Sequence, residues 1–272
     1  MGDQWRGLID ELAALVLPSE CAGCGRTRVR GELCGSCAQT LRSAVPRRVY
    51  PLPAPSRPPP VYAALPYAGE VRKVLLAHKE RGALRLAAPL GGVLADVVCT
   101  ASARARGPLG GAAGVGSRPP GSRGPRGQGR THSPGGRPAG LPGGPPLTLV
   151  PVPSARRSVA VRGHDPVRRM ALAAAGELRR RGVPARVLAV LRHGRAVADQ
   201  AGLTARQRLA NLDGALEIVP DGERLLGEGV TVLVDDLMTT GASLAEAGRA
   251  VRVRGRVPTA AAVVAFRPRP GG

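Results

Sequence analysis

Two adjacent carboxylates and a run of small hydroxyl residues form the stretch with the clearest chemistry. The segment GVTVLVDDLMTTGAS spans residues 229–243. Asp235 and Asp236 follow a short, mostly β-branched apolar run, which is typical of a strand covered on both faces. Open α/β sheets bind their ligands at the carboxyl ends of such strands. Two carboxylates there suit the vicinal hydroxyls of a sugar, or a Mg²⁺ held with it.

The residues that follow the pair suit a phosphate. Thr239, Thr240, Gly241, Ala242 and Ser243 lead into a segment with helical spacing. A loop of small residues before a helix offers free backbone N–H groups and a partial positive charge. The simpler alternative is a strand, an Asp-rich turn and a Ser-capped helix. The order and spacing of all the parts favour a site for a ribose 5-phosphate.

Four cysteines form a second pattern with specific chemistry. Cys21, Cys24, Cys34 and Cys37 have the spacing C-x2-C-x9-C-x2-C. Two such knuckles supply four thiolates for a tetrahedral Zn²⁺. Four cysteine ligands leave no open position, so we predict a structural rather than a catalytic zinc. The alternative, disulfide pairing, is disfavoured in a cytosolic protein. The remaining Cys99 is interpreted as a buried helical thiol.

Strand and helix patterns alternate along the chain and position these residues. This alternation predicts an α/β fold with a parallel sheet, preceded by the small cysteine module. We predict strands over 61–67, 147–153, 185–191, 215–219, 230–234 and 259–266. Helices are predicted over 69–78, 84–101 and 166–181, after the N-cap Thr204, and over 244–251.

The remaining segments set the domain boundaries. Residues 1–45 contain an amphipathic helix, from Trp5 to Val16, and the four-cysteine module. Residues 46–60 are rich in Pro and Arg and predict an extended linker to the α/β domain, 61–272. Within that domain, 101–147 carries seven arginines and no acid and is rich in Gly and Pro. It predicts a disordered insertion, because it cannot bury enough apolar surface to order itself.

Composition limits the partners and the compartment. The formal net charge is +21, and omitting the seven arginines of 101–147 leaves +14. Such a charge favours anionic partners, nucleic acid included. Aromatic residues are only 2 %, so a platform for stacking single-stranded bases is poorly supplied. We find no apolar run long enough to span a bilayer and no basic start of a signal peptide. A cytoplasmic protein is expected, which reaches the membrane only through partners.

Basic residues flank two of the predicted strands. The segment 154–165, SARRSVAVRGHD, predicts a basic loop that contains Arg156, Arg162 and His164. This loop is either a solvated surface segment or part of an anion site, and its position after a strand favours the second. Lys79 likewise either points into the anion site or is solvated. Further along, a helix from Thr204 places Arg208 and Asn211 on one face.

Together these motifs resemble one family. The aspartate segment resembles the phosphoribosyl pyrophosphate (PRPP) signature of type I phosphoribosyltransferases. The cysteine module, VPVPSARRSVAVRGHD, DQAGLTARQRLANLDGAL and VTVLVDDLMTTGAS occur in the order seen in ComF-like proteins. That family is competence-associated and has a phosphoribosyltransferase fold behind a zinc finger. The resemblance covers nearly the whole chain except 101–147.

The resemblance implies roles for particular residues. Asp235 and Asp236 would be the catalytic carboxylates and contact the ribose hydroxyls, with Mg²⁺ present alongside PRPP. Residues 239–243 would wrap the 5-phosphate, and Arg156 would lie at the pyrophosphate loop. The site would be lined or supported by Arg162, Gln200, Arg208 and Asn211. The chain departs from the family at His164-Asp165-Pro166, where Phe-Asn-Gln is common.

Three functions follow from the resemblance. In the first, the protein binds PRPP and is accessory to DNA uptake, handling incoming single-stranded DNA with a helicase or a recombination protein. In the second, it is an active phosphoribosyltransferase that transfers ribose 5-phosphate from PRPP to a base or amine in nucleotide metabolism. In the third, it is a PRPP-sensing regulator.

Overall fold

The computed structural model of the protein describes residues 20–51, 58–105, 146–195, 204–227 and 229–268. The strands are β1 (Arg47–Val49), β2 (Val61–Pro66), β3 (Leu147–Pro151), β4 (Ala185–Val187), β5 (Leu191–His193), β6 (Leu216–Ile218), β7 (Thr231–Met238) and β8 (Ala260–Phe266). The α-helices are α1 (Gly35–Arg42), α2 (Gly69–Glu80), α3 (Ala87–Ala105), α4 (Arg156–Arg162), α5 (Pro166–Arg180), α6 (Ala205–Leu212), α7 (Gly222–Leu226) and α8 (Ala242–Val253). A 3₁₀ turn, Leu84–Leu86, precedes α3.

A mostly parallel sheet organises this part of the chain. Its six strands have the order β1-β2-β8-β7-β3-β4. All neighbours are parallel except β1, which runs antiparallel to β2. The predicted α/β class with a parallel sheet, preceded by the cysteine module, is therefore confirmed.

Two of the predicted strands, 185–191 and 215–219, do not fully join the main sheet. The alternation of strands and helices had predicted that they would. The strand expected over 185–191 divides, because β4 pairs with β3 while β5 turns away. β5 instead pairs antiparallel with β6 and forms a separate two-stranded sheet. Hydropathy predicted that both segments are extended, but only the pairing of distant residues decided which sheet each one enters.

The main sheet is covered on both faces, which explains its continuous apolar strands. On one face, helices α2, α3 and α5 pack over Val232 and Val234 of β7. On the other, α8 and the β5–β6 pair pack over Leu233. Fully buried side chains of these helices include Val74, Leu90, Leu94, Met170, Leu178, Leu244 and Val251.

Helix α3 is the most apolar element. With the preceding turn, the segment Leu84–Arg104 is long and apolar enough to cross a membrane by length and composition, which the sequence-based estimate overlooked. About half of this segment is buried inside the protein, and Leu90, Leu94 and Val97 are fully covered. α3 packs closely against α5. This burial is typical of a core helix and is compatible with a soluble protein.

Two predicted boundaries were wrong. The linker 46–60 includes β1, which joins the sheet edge and buries Val49 in the core. The insertion 101–147 starts too early and ends one residue late, because α3 continues to Ala105 and β3 begins at Leu147. Ala101 is fully buried, so the small residues at the helix end still pack. The predicted amphipathic helix before residue 20 and the body of the insertion, 106–145, lie outside the described residues.

Candidate functional site

The candidate site lies where β7 and its neighbour β3 end. β7 extends to Met238, so the strand is longer than predicted and both aspartates lie within it rather than after it. Asp235 is opposite Val263 of β8, and regular pairing continues through Met238. The turn is therefore restricted to residues 239–241. On the other side of β7, the loop after β3 begins where Val152 donates its N–H to the carbonyl of Val234.

Asp236 is buried and forms an ion pair with Lys79, near the C-terminal end of α2. Lys79 Nζ donates to Asp236 Oδ2 at 3.0 Å, and only 9 % of the aspartate side chain is exposed. Burial by itself raises the pKa of Asp236, but the charge and hydrogen bond of Lys79 outweigh it and lower the pKa. Asp236 in turn raises the pKa of Lys79. Lys79 therefore points at the carboxylate pair rather than into bulk solvent.

Asp235 behaves differently from its neighbour. Its Oδ1 accepts the backbone N–H of Asp236 at 2.8 Å. Burial, followed by the negative charge of Asp236, raises the pKa of Asp235 well above its ordinary value. Like charges this close disfavour double ionisation. The pKa values of the two adjacent carboxyl groups are therefore shifted in opposite directions.

The loop predicted to hold a phosphate is compact. Gly241 is the N-cap of α8 and has a φ of 75°. Thr240 is buried, and its Oγ1 accepts the N–H of Ala242 at 3.4 Å, whereas Thr239 and Ser243 are partly exposed. The long apolar helix behind the loop adds its dipole to the N–H groups at this end.

The reason for glycine at position 241 is different from the one that phosphate binding suggests. A Cβ at Gly241 would lie 2.5 Å from Cβ of Pro51, a residue of the predicted linker. Its positive φ adds strain for any other residue. Gly241 is thus explained by the close approach of Pro51, and the segment after β1 covers one side of the candidate loop.

The basic segment after β3 is a helix rather than the expected loop. Within α4, Arg162 donates from Nε and Nη2 to the carboxylate of Glu80, both at 3.0 Å. Its side chain is only 15 % exposed, and Nη1 is buried without an acceptor among the described residues. Arg162 is also close enough to Lys79 for its charge to lower the pKa of that amine. The side chain of Arg156 lies outside the described part of the structure.

Glu80 is the partner that sequence reasoning missed. The available signal was the adjacent pair Lys79-Glu80 at the end of α2. Two neighbouring side chains of opposite charge can each form an ion pair with a different residue. Lys79 forms an ion pair with Asp236, and Glu80 forms one with Arg162. The two ion pairs bring α2, α4 and β7 together.

The departure at His164-Asp165-Pro166 has a structural explanation. Asp165 is the N-cap of α5 and accepts the N–H of Arg168 at 3.1 Å, and Pro166 occupies the first turn. This is a favoured helix start. The ring of His164 lies 6.3 Å from that of the buried His78. Nε2 of His78 is 3.2 Å from the carbonyl oxygen of Pro166, which ties α2 to the start of α5.

Two further predicted residues belong to the helix before β6. Arg208 and Asn211 lie in α6, whose start has the predicted Thr204 cap and a complete capping box with Gln207. α6 packs against α8, which begins at the candidate loop. The carbonyl of Asn211 accepts a hydrogen bond from Arg195 at 3.0 Å. Gln200 lies outside the described residues.

The four cysteines converge as predicted. Their sulfur atoms all lie within 4.8 Å of one another, and Sγ of Cys24 is 3.6 Å from that of Cys34. Zn–S bonds of about 2.3 Å in a tetrahedron require sulfur atoms about 3.8 Å apart, so the cluster has the dimensions of a zinc site. A Cβ at Gly23 would lie 2.8 Å from Sγ of Cys37, so this knuckle requires glycine.

The environment of the thiols also favours a bound cation. Burial raises the pKa of Cys21, but backbone N–H groups, chiefly that of Cys34, outweigh it and lower the pKa to about 6. The N–H of Cys34 lies 3.2 Å from Sγ of Cys21. Burial and the neighbouring thiols raise the pKa of Cys37. Four thiolates so close together need a compensating positive charge.

Compared with known proteins, the chain matches no family model and no curated protein sequence. The resemblance to ComF-like proteins therefore depends on the motifs and their order. The structure supports the general architecture that this resemblance implies. A cysteine cluster that could hold a metal precedes a mostly parallel α/β sheet.

Proposed function

We propose that the protein is a ComF-like, PRPP-binding protein that is accessory to DNA uptake. The observation that carries this proposal is the arrangement at the ends of β7 and β3. There a carboxylate pair and a loop of hydroxyl residues lie beside Lys79, which in turn lies next to Arg162. This set offers acceptors for sugar hydroxyls, donors for a phosphate and cations for a pyrophosphate within one region.

Each part has a distinct role in the proposed complex. The carboxylates of Asp235 and Asp236 accept hydrogen bonds from ribose hydroxyls. Residues 239–243 donate backbone N–H groups and hydroxyls to the 5-phosphate, with the N-terminal end of α8 behind them. Mg²⁺ bound with the ligand supplies positive charge to the pyrophosphate oxygens. Arg162 and Lys79 stand on the side of β3, where the family places the pyrophosphate.

The role in DNA uptake is supported by charge. Even without residues 101–147 the chain carries +14, which favours incoming single-stranded DNA by attraction to its phosphates. The scarcity of aromatic residues argues against base stacking as the main contact. A helicase or recombination protein that processes the strand is the proposed partner in the cytoplasm, at the inner face of the membrane.

The proposal is tested by calorimetry of PRPP binding with and without Mg²⁺. Replacing both aspartates, Asp235→Asn with Asp236→Asn, keeps shape and removes the carboxylates. The Mg²⁺-dependent binding should weaken at least about tenfold, equivalent to ~1.4 kcal/mol. The matched control is Asp221→Asn, at an exposed position where asparagine tolerates the positive φ of 59°. Equal affinities in all three proteins would refute binding at this site.

Catalytic transfer is the second candidate, favoured by one feature. The β5–β6 pair stands next to the loop after β3, where His193 Nε2 is 3.2 Å from the carbonyl oxygen of Pro153. The β5–β6 pair would then line one side of a pocket for an acceptor base or amine beside the strand ends. Pyrophosphate release from PRPP with a panel of bases and amines separates the two functions. Turnover with any acceptor establishes the enzyme, and binding without turnover favours the accessory role.

A further inference from the structure

A separate cleft lies on the β2 side of the candidate loop. The first residues beyond three adjacent strands line it: Tyr67 after β2, Arg267 after β8 and Thr239 after β7. The N–H of Tyr67 donates to the carbonyl of Phe266 at 2.8 Å, and that of Arg267 to Met238 at 2.9 Å. The sheet therefore holds the backbones of Tyr67 and Arg267 at one level of its carboxyl edge.

The described residues that line the cleft are polar. Arg72, from the first turn of α2, completes a cavity of about 410 Å³. Within the described part of the chain, the lining offers two guanidinium groups, a phenol and a threonine hydroxyl, and no carboxylate. Phe266, the residue before Arg267, has the guanidinium of Arg47 over its ring, 4.8 Å from the ring centre.

The two arginines in the cleft differ from two other arginines of the protein, Arg162 and Arg249. Arg162 and Arg249 are both held by carboxylates, those of Glu80 and Glu246. Among the described residues, neither Arg72 nor Arg267 forms a side-chain hydrogen bond or ion pair. Two unpaired guanidinium groups that face one cavity repel each other, and an anion between them removes that repulsion.

We propose that this cleft is a second oxyanion site, which binds a phosphate group. Guanidinium groups bind phosphate oxygens through paired N–H donors, and the hydroxyls of Tyr67 and Thr239 add further donors. The volume suits a phosphate carried on a small molecule. The site is distinct from the carboxylate pair and shares only Thr239 with the loop assigned to PRPP. The inference stands whether or not PRPP binds at Asp235 and Asp236.

The test is a calorimetric titration with inorganic phosphate in chloride buffer at constant ionic strength. In the double variant Arg72→Gln with Arg267→Gln, phosphate affinity should fall at least about tenfold. Both arginines are exposed, so the core is unaffected. The control is Arg254→Gln with Arg256→Gln, beyond the far end of α8, about 18 Å from the loop for a helix of 12 residues. It removes the same charge and should leave the affinity within about twofold.

Two results would overturn the proposal. One is equal phosphate affinity in wild type and the Arg72/Arg267 variant. The other is an equal loss in the Arg254/Arg256 control, which would mean that only net charge matters. The Asp235/Asp236 variant tests the cleft independently of the proposed PRPP site. It should lose PRPP binding and keep phosphate binding.

A competition arm identifies the source of the phosphate. If phosphate still binds at saturating PRPP, the cleft takes a phosphate group from a second molecule. If PRPP displaces phosphate and the Arg72/Arg267 variant also binds PRPP more weakly, the group is one of PRPP's own. Both results support the cleft as a phosphate site, and they assign its occupant.

Discussion

At the scale of single residues, the ionisation of Asp235, Asp236 and Lys79 is linked. Asp236 forms an ion pair with Lys79, which lowers the pKa of Asp236, while burial and the charge of Asp236 raise the pKa of Asp235. A carboxyl group with a raised pKa takes up a proton on folding, and its ionisation above that pKa costs stability. The adjacent aspartates therefore have opposite effects on the free energy of unfolding.

We expect Asp235→Asn to stabilise the protein at pH 8. Between the ordinary pKa of an aspartate and the raised pKa of Asp235, the folded state binds more protons than the unfolded state. Wild-type stability therefore falls as the pH rises through that window, and the variant lacks this fall. The gain should be present at pH 8 and should vanish towards pH 4. Thermal unfolding at several pH values measures it.

Substitution of the neighbouring aspartate should have the opposite effect on stability. Asp236→Asn removes the carboxylate that Lys79 contacts at 3.0 Å, so this variant should be less stable than wild type at pH 8. If Asp235→Asn is no more stable than wild type at pH 8, or if its gain persists unchanged at pH 4, the inference of a raised pKa at Asp235 is wrong.

At the scale of elements, the cysteine module is short and has little core of its own. Its described residues contain one helix, α1, and few apolar side chains. Leu41 of α1 is 2 % exposed and joins the main core. The segment after α1 continues into β1 and reaches Gly241 through Pro51. The module is thereby connected to the sheet edge and to the candidate loop.

We expect one tightly bound zinc per chain, measured by elemental analysis of protein purified without added metal. Cys37→Ser removes a buried ligand and should abolish zinc binding and lower the melting temperature. The control is Cys99→Ser, because Cys99 lies in α3 and outside the cluster, and this variant should keep its zinc. A metal-free protein with a folded cysteine module would contradict the assignment.

At the scale of the whole molecule, positive charge dominates. We expect weak binding of single-stranded DNA without sequence preference, because attraction to phosphates is the main contribution available. Affinity should fall at least about tenfold between about 50 and about 200 mM salt, as for roughly three phosphate contacts. Fluorescence anisotropy with two oligonucleotides of unrelated sequence measures both properties. An affinity that is constant over this range, or a strong preference for one sequence, would contradict this expectation.

The sequence by itself determined the features that depend on local pattern. Hydrophobic runs and spacing predicted most of the strands and helices, the Thr204 cap and the cysteine cluster, because each of these depends on neighbours a few residues away. Tertiary structure alone decided which strands pair, so β5 and β6 left the main sheet. It also decided the partners of Lys79 and Arg162 and the contact of Pro51 with Gly241. Those contacts join residues far apart in the chain, and local pattern carries no information about which distant groups meet.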